Sequence, residues 1–178
     1  MGPFSAVVAD PPWFFKDSLP GETRGAVKQY QCMSTHDICN MSLPPIYDNA
    51  LLFLWRVSSM VREAYDVVHH WGFNPHSEIV WRKLTATGKE AFGMGRIVRG
   101  AHETCIIAKR GNPIIVSSSL RSIFSAKVGE HSEKPDAFYD IVEKITGTHT
   151  AKVELFARKQ RPGWTCLGLE SDGTDFRK

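Results

Sequence analysis

No apolar run in the 178-residue sequence approaches the ~20 residues that a membrane-spanning helix needs. No basic segment followed by an apolar stretch and a small-residue cleavage site opens the chain, so a cytoplasmic protein without a membrane partner is expected. Cysteine is scarce. Cys32, Cys39, Cys105 and Cys166 form no C-x-x-C pair and no zinc-type spacing, so reduced thiols and no metal site are expected. A G-x-G-x-x-G turn after a strand is also missing. Gly93-Met94-Gly95 lies in an aperiodic stretch between strands and lacks the context of a nucleotide fingerprint. Net charge is small, formally +3. It is unevenly placed: Arg82, Lys83, Lys89, Arg96, Arg99, Lys109 and Arg110 face only Glu90 and Glu103 between positions 82 and 110, an excess that suits a polyanion.

What remains has the pattern of an α/β domain. Short apolar strands are predicted over 4–10, 50–57, 77–83, 102–109 and 152–157, with one or two more in 113–124. Helices are predicted between them. One follows a Ser34 cap, and a second is opened by Ser59, carries Val61, Ala64, Val68 and Trp71 on one face, and is closed by Gly72. A third has Pro135 at its first helical position, Phe138, Ile141, Val142 and Ile145 on one face, and Gly147 past its end. Residues 14–33 and 84–100 read as long loops. Alternating strands and helices predict a mostly parallel sheet, with ligands beyond the carboxyl ends of the strands. Asp10 and Arg158 fall at such ends, and Lys134 falls just before a helix.

The chemistry starts with the motif Asp10-Pro11-Pro12-Trp13 directly after the first strand. Asp10 precedes a proline and is held extended. Pro11 and Pro12 have fixed φ and no N–H, so their carbonyls project from a stiff turn as acceptors. A carboxylate and a carbonyl converging on one point can hold both hydrogens of an NH2 group, and Trp13 offers a flat face for a base at ~1–3 kcal/mol. The object so described is an amino group on a nucleobase. Accepting both N–H bonds draws the nitrogen toward sp3 geometry and frees its lone pair for attack on an electrophile. Such contacts raise the rate when they strengthen in the transition state.

With that motif, the chain resembles the DPPW-type adenine-N6 methyltransferases, the family that includes the catalytic subunit of the eukaryotic mRNA adenosine-N6 methyltransferase and many phage and bacterial DNA adenine methyltransferases. The matching segments are VVADPPW, YQCMS, LLFLW, IVWRK, GMGRIVRGAHETCIIAKRGNP, HSEKPDAFYDIVEKI, VELFAR and RPGWTCLG, in that order over nearly the whole chain. The resemblance implies a Rossmann-like fold over 1–178 as one domain, helices on both sheet faces, and a permuted order with the catalytic motif first. It implies S-adenosylmethionine as methyl donor. It implies Asp10, Pro11, Pro12, Trp13 and Tyr30 at the target base and Asp10, Ser132, Lys134, Glu154, Phe156, Arg158, Gly168 and Glu170 at the cofactor; the basic stretch then puts Lys83, Lys89, Arg96, Arg99 and His102 along the nucleic acid. Two departures are expected to remove cofactor contacts: Leu169 stands where the family has Asn, and only Met1-Gly2-Pro3 precede the first strand, where the family carries an acid. The expected reaction is methylation of adenine N6 in DNA, in a bacterial or phage-infected cell, by a monomer or a homodimer. RNA methylation and a catalytically weak nucleic-acid-binding partner subunit are the alternatives.

Overall fold

The computed structural model describes residues 2–14, 32–93, 95, 97–129 and 133–168. One seven-stranded sheet organises them, in the order β5-β3-β4-β2-β1-β6-β7. The strands are β1 (Phe4–Ala9), β2 (Ile46–Arg56), β3 (Asn74–Leu84), β4 (His102–Arg110), β5 (Ile123–Lys127), β6 (Lys152–Leu155) and β7 (Thr165–Leu167). β1 lies at the centre and pairs in parallel with β2 and β6, so that Val8 faces both Phe53 and Glu154 across the ladder. Its continuous apolar sequence FSAVVA suits a strand covered on both faces.

Alternation along β1 and β2 sorts side chains into two cores. Val7, Ala9, Leu52 and Leu54 pack with Ile38 of α1 (Thr35–Asn40) and with Ala64, Val67 and Val68 of α2 (Val61–His70). Val8, Leu51, Phe53 and Trp55 pack on the other face with Phe138, Tyr139 and Val142 of α3 (Asp136–Thr146). The resulting architecture is the Rossmann-like α/β fold expected from the sequence, with helices on both faces.

Local chemistry accounts for the helix ends. The Ser34 hydroxyl accepts from the Asp37 N–H at 3.1 Å and caps α1 as its sequence predicts. Met60, with no side-chain cap, precedes α2, so Ser59 lies one residue outside the expected start. Pro135 has φ −67° and ψ 145°, an extended position before α3 rather than inside it. Asp136 takes the first helical place, where its charge faces the positive helix end. Gly147 ends α3 at φ +95°, which favours glycine.

Three features depart from the sequence reading. β4 is antiparallel to both β2 and β3, and the other strands run parallel. The reason is the aperiodic stretch between β3 and β4: without a crossover helix the chain can only fold back beside its own strand. Residues 113–122 form no strand, and only Ile123–Lys127 joins the sheet, beside β3. Thr165–Leu167 adds an edge strand to β6 in a tail that reads as merely polar. Among the described residues no helix is long and apolar enough to cross a membrane.

Candidate active site

The carboxyl ends of β1, β2, β6 and β7 lie on one edge of the sheet, and the start of antiparallel β4 joins them there. That places Asp10, Arg56, Glu103, Phe156 and Gly168 around one rim. Lys134, just ahead of α3, reaches the same place: its Nζ donates to Asp10 Oδ2 at 2.6 Å and lies 3.2 Å from Glu103 Oε2. The lysine side chain is only 6% exposed, so both carboxylates compensate a charge withdrawn from water. Lys83 closes the chain of charges by donating to Glu103 Oε1 at 2.5 Å. Burial pushes the Glu103 carboxyl up, but Lys134 and Lys83 more than reverse this and hold it below the ordinary carboxylate value. Burial likewise pulls the Lys134 ammonium down, and Asp10 and Glu103 outweigh that and raise it.

The motif after Asp10 is pinned by its own backbone. Trp13 N–H donates to the Pro11 carbonyl at 2.8 Å, a three-residue turn. The Pro12 carbonyl accepts from Met33 N–H at 2.8 Å, and Phe14 N–H returns to the Met33 carbonyl at 2.9 Å. Each proline carbonyl thus accepts one backbone N–H: Pro12 ties the turn to the segment at Met33, while Pro11, next to Asp10, closes the turn on Trp13 and keeps a second lone pair. Trp13 differs from expectation too. It is 4% exposed, packs into the α1–α2 core, and donates through Nε1 to the Trp55 carbonyl at 3.1 Å. In this structure its ring anchors the turn and presents no open face for a base. Phe14, next in the chain, is 46% exposed.

On the β6 side, Glu154 accepts from the Tyr139 hydroxyl at 2.5 Å, and both residues are buried. Phe156 turns the chain with φ +63°, a conformation that L side chains rarely adopt. Ala157 N–H then donates to the Leu167 carbonyl at 3.0 Å. At Gly168 a Cβ would sit 2.3 Å from the Ala157 carbonyl oxygen and 2.7 Å from its nitrogen, so glycine is needed for that closure. Arg158 follows in the same turn.

The residues expected along a nucleic acid divide. Lys89, Arg99 and His102 are exposed at or near the rim. Lys83 is committed to Glu103. Lys109 and Arg110 end β4 at the opposite edge of the sheet, eight residues from His102 and roughly 26 Å away at ~3.3 Å per residue. There Arg110 lies over the Phe73 ring at 4.6 Å and donates to the Gly72 carbonyl at 3.2 Å. The basic cluster of the sequence is thus two separate groups in space. Tyr30, Arg96, Ser132 and Glu170, with Leu169, lie outside the described residues. Glu103 and Tyr139 are the site residues that sequence reasoning missed. Glu103 reads as one acid in a basic stretch, and Tyr139 falls outside the predicted helix face of Phe138, Ile141, Val142 and Ile145.

The MT-A70 profile matches residues 4–170. The chain belongs to the MT-A70 family. It is similar to the N(6)-adenosine-methyltransferase MT-A70-like protein of Drosophila melanogaster, 30% identical over 182 residues that cover 97% of this chain and 28% of that one. It is 28% identical to the N(6)-adenosine-methyltransferase catalytic subunit of Homo sapiens over 97% of this chain and 29% of that one. The Type II methyltransferase M.MunI of Mycoplasma sp is 26% identical over 94% of this chain and 77% of its own length. The chain thus spans under a third of the length of the adenosine methyltransferases and about three quarters of M.MunI.

MT-A70 methyltransferases use S-adenosylmethionine as methyl donor. The residues present fit such a group. Among the described residues, Trp55 Nε1 and Arg161 Nε are buried donors with no hydrogen-bond partner, and Glu154 supplies a buried carboxylate that interacts with Arg161. The close approach of Gly168 to Ala157 leaves that edge free of side-chain bulk.

Proposed function

We propose that this chain transfers a methyl group from S-adenosylmethionine to the N6 amine of adenine in DNA. The observation that carries the reading is the pairing, at the end of the central strand, of a carboxylate held by Lys134 at 2.6 Å with the adjacent Pro11 carbonyl on a pinned turn. Asp10 Oδ1 and the Pro11 carbonyl then accept the two N–H bonds of the amine and direct its lone pair. Because Lys134 and the Met33 tie fix both acceptors beforehand, little reorganisation is needed when charge shifts in the transition state. When bound, S-adenosylmethionine supplies the electrophilic methyl group. Lys134 is the cation available to its carboxylate, and Glu154, Phe156, Arg158 and Gly168 border the place for its nucleoside. Lys89, Arg99 and His102 contact backbone phosphates, whose charge dominates affinity. The target base is presented outside a duplex, because the amine must reach the rim.

DNA is favoured by the likeness to the type II methyltransferase. RNA is the second reading, favoured by the relatives named as adenosine methyltransferases. Incubation with cofactor and DNA or RNA oligonucleotides of one sequence, followed by mass spectrometry of nucleosides, tests both. N6-methyladenine in DNA above RNA supports the proposal, and modification of RNA alone overturns the choice of DNA.

A further inference from the structure

A second cluster stands on the same rim, apart from the Lys134 charges. Tyr139 of α3 donates to Glu154 Oε1 of β6 at 2.5 Å. Arg161 stacks its guanidinium over the Tyr139 ring at 3.5 Å and pairs with Asp136 at 2.9 Å. Trp164 meets the same ring edge-on at 5.5 Å and 85°, and its Nε1 donates to Glu143 of α3 at 2.8 Å. The segment between β6 and β7 is thereby fastened onto α3 at both ends of one turn, with Tyr139 between them. Trp164 N–H closes that turn on the Arg161 carbonyl at 3.1 Å.

The ring contacts fix where the phenol hydroxyl points, and the hydroxyl fixes Glu154. A phenol bonded to a carboxylate favours the charged carboxylate, leaving Oε2 as an acceptor for a second donor. Burial pushes the Glu154 carboxyl up, and the Tyr139 hydroxyl and Arg161 offset this only in part, so it stays above its ordinary value. Glu154 lies beside Val8 in the ladder, two residues before Asp10 on the same face.

We propose that Tyr139, held between Arg161 and Trp164, is a positioning residue that fixes Glu154 as an acceptor for the hydroxyl groups of the cofactor's nucleoside. It therefore governs cofactor affinity and not the methyl-transfer step. This rests on the cofactor reading above. Tyr139→Phe keeps the ring, the Arg161 stack and the Trp164 contact, and removes only the hydroxyl.

Calorimetric titration of the full chain with S-adenosylhomocysteine is the test. Tyr139→Phe is expected to weaken binding about tenfold, the scale of a hydrogen bond to a charged group. The KM for S-adenosylmethionine should rise by a similar factor with kcat within about twofold. Because Tyr139 acts through Glu154, the double variant Tyr139→Phe, Glu154→Gln should bind no more weakly than Glu154→Gln alone. Equal binding by Tyr139→Phe and wild type, additive losses in the double variant, or a fall in kcat with KM unchanged overturns the inference. Should Tyr139→Phe fail to fold, Arg161→Gln carries the test: weaker binding is expected and unchanged binding overturns it. Wild-type protein that binds no S-adenosylhomocysteine overturns the cofactor reading together with this inference, whereas wild-type binding unaffected by the variants overturns this inference alone.

Discussion

Lys134 joins Asp10 to Glu103: one buried ammonium holds the acid that ends β1 and the acid near the start of β4, at 2.6 and 3.2 Å. This relationship makes the antiparallel β4 part of the site. β4 runs against its neighbours, so its beginning rather than its end meets the carboxyl edge, and Glu103 arrives there.

Replacing Lys134 with Met keeps the length of the side chain and leaves two carboxylates facing each other. Removing one partner of a buried pair costs about 3 kcal/mol, so a fall in melting temperature of several degrees is expected near neutral pH. The pH dependence has a definite sign. Glu103 is held below its ordinary value, so its stabilisation is complete above the usual carboxylate range and is lost as pH falls through the lowered value. Lys134 is held above its ordinary value, so its stabilisation is complete below the usual lysine range and is lost as pH rises through the raised value. The gap between wild type and Lys134→Met should therefore be widest between those ranges and shrink toward acid. Melting curves from about pH 3 to 9 check this; a gap that widens toward acid contradicts it.

Trp13→Phe removes the donor to the Trp55 carbonyl and keeps most of the apolar volume. The cost should be about 1–2 kcal/mol, seen as a lower melting temperature. Affinity for an oligonucleotide should change little, since the ring is buried. A variant with wild-type stability and weakened nucleic-acid binding would restore the stacking role expected from the sequence.

The division of the basic residues predicts two behaviours. Lys89→Gln with Arg99→Gln should weaken binding to any sequence and reduce the slope of log affinity against log salt by about two. Arg110→Gln, at the other edge, should leave that slope unchanged. Fluorescence anisotropy over a salt series distinguishes these outcomes, and an equal effect of Arg110→Gln contradicts the placement.

At Gly168 the added methyl group of alanine meets the Ala157 backbone, which cannot move aside as a flexible side chain would. Gly168→Ala should cost about 1–3 kcal/mol and weaken binding of S-adenosylhomocysteine. Calorimetry that finds both unchanged contradicts the close approach as described.

Much of this was legible in the residues. The apolar run into Asp10 marks a central strand with its acid at the carboxyl end. Phe138 and Val142 mark a helix face, and both lie in the α3 core. Other features depend on contacts between distant segments. Nothing near Glu103 in the sequence announces Lys134, thirty-one positions later. Trp13 reads as an aromatic platform because composition cannot say whether a ring beside a turn is covered, and here it packs into the α1–α2 core with its Nε1 donating to the Trp55 carbonyl. The proline pair reads as two free acceptors until the Trp13 N–H is seen to take one lone pair of Pro11 and the Met33 N–H one of Pro12. The short β7 carries too few residues to show a period of two, and only pairing with β6 makes it a strand.

The central claim is that Asp10 directs an adenine amine at the end of β1. Mass spectrometry of nucleosides from single-stranded DNA incubated with S-adenosylmethionine and either wild type or Asp10→Asn tests it most directly. The account predicts N6-methyladenine with wild type and at least about a hundredfold less with Asp10→Asn, since the amide cannot replace the charged acceptor. Equal methylation by the two proteins would contradict it.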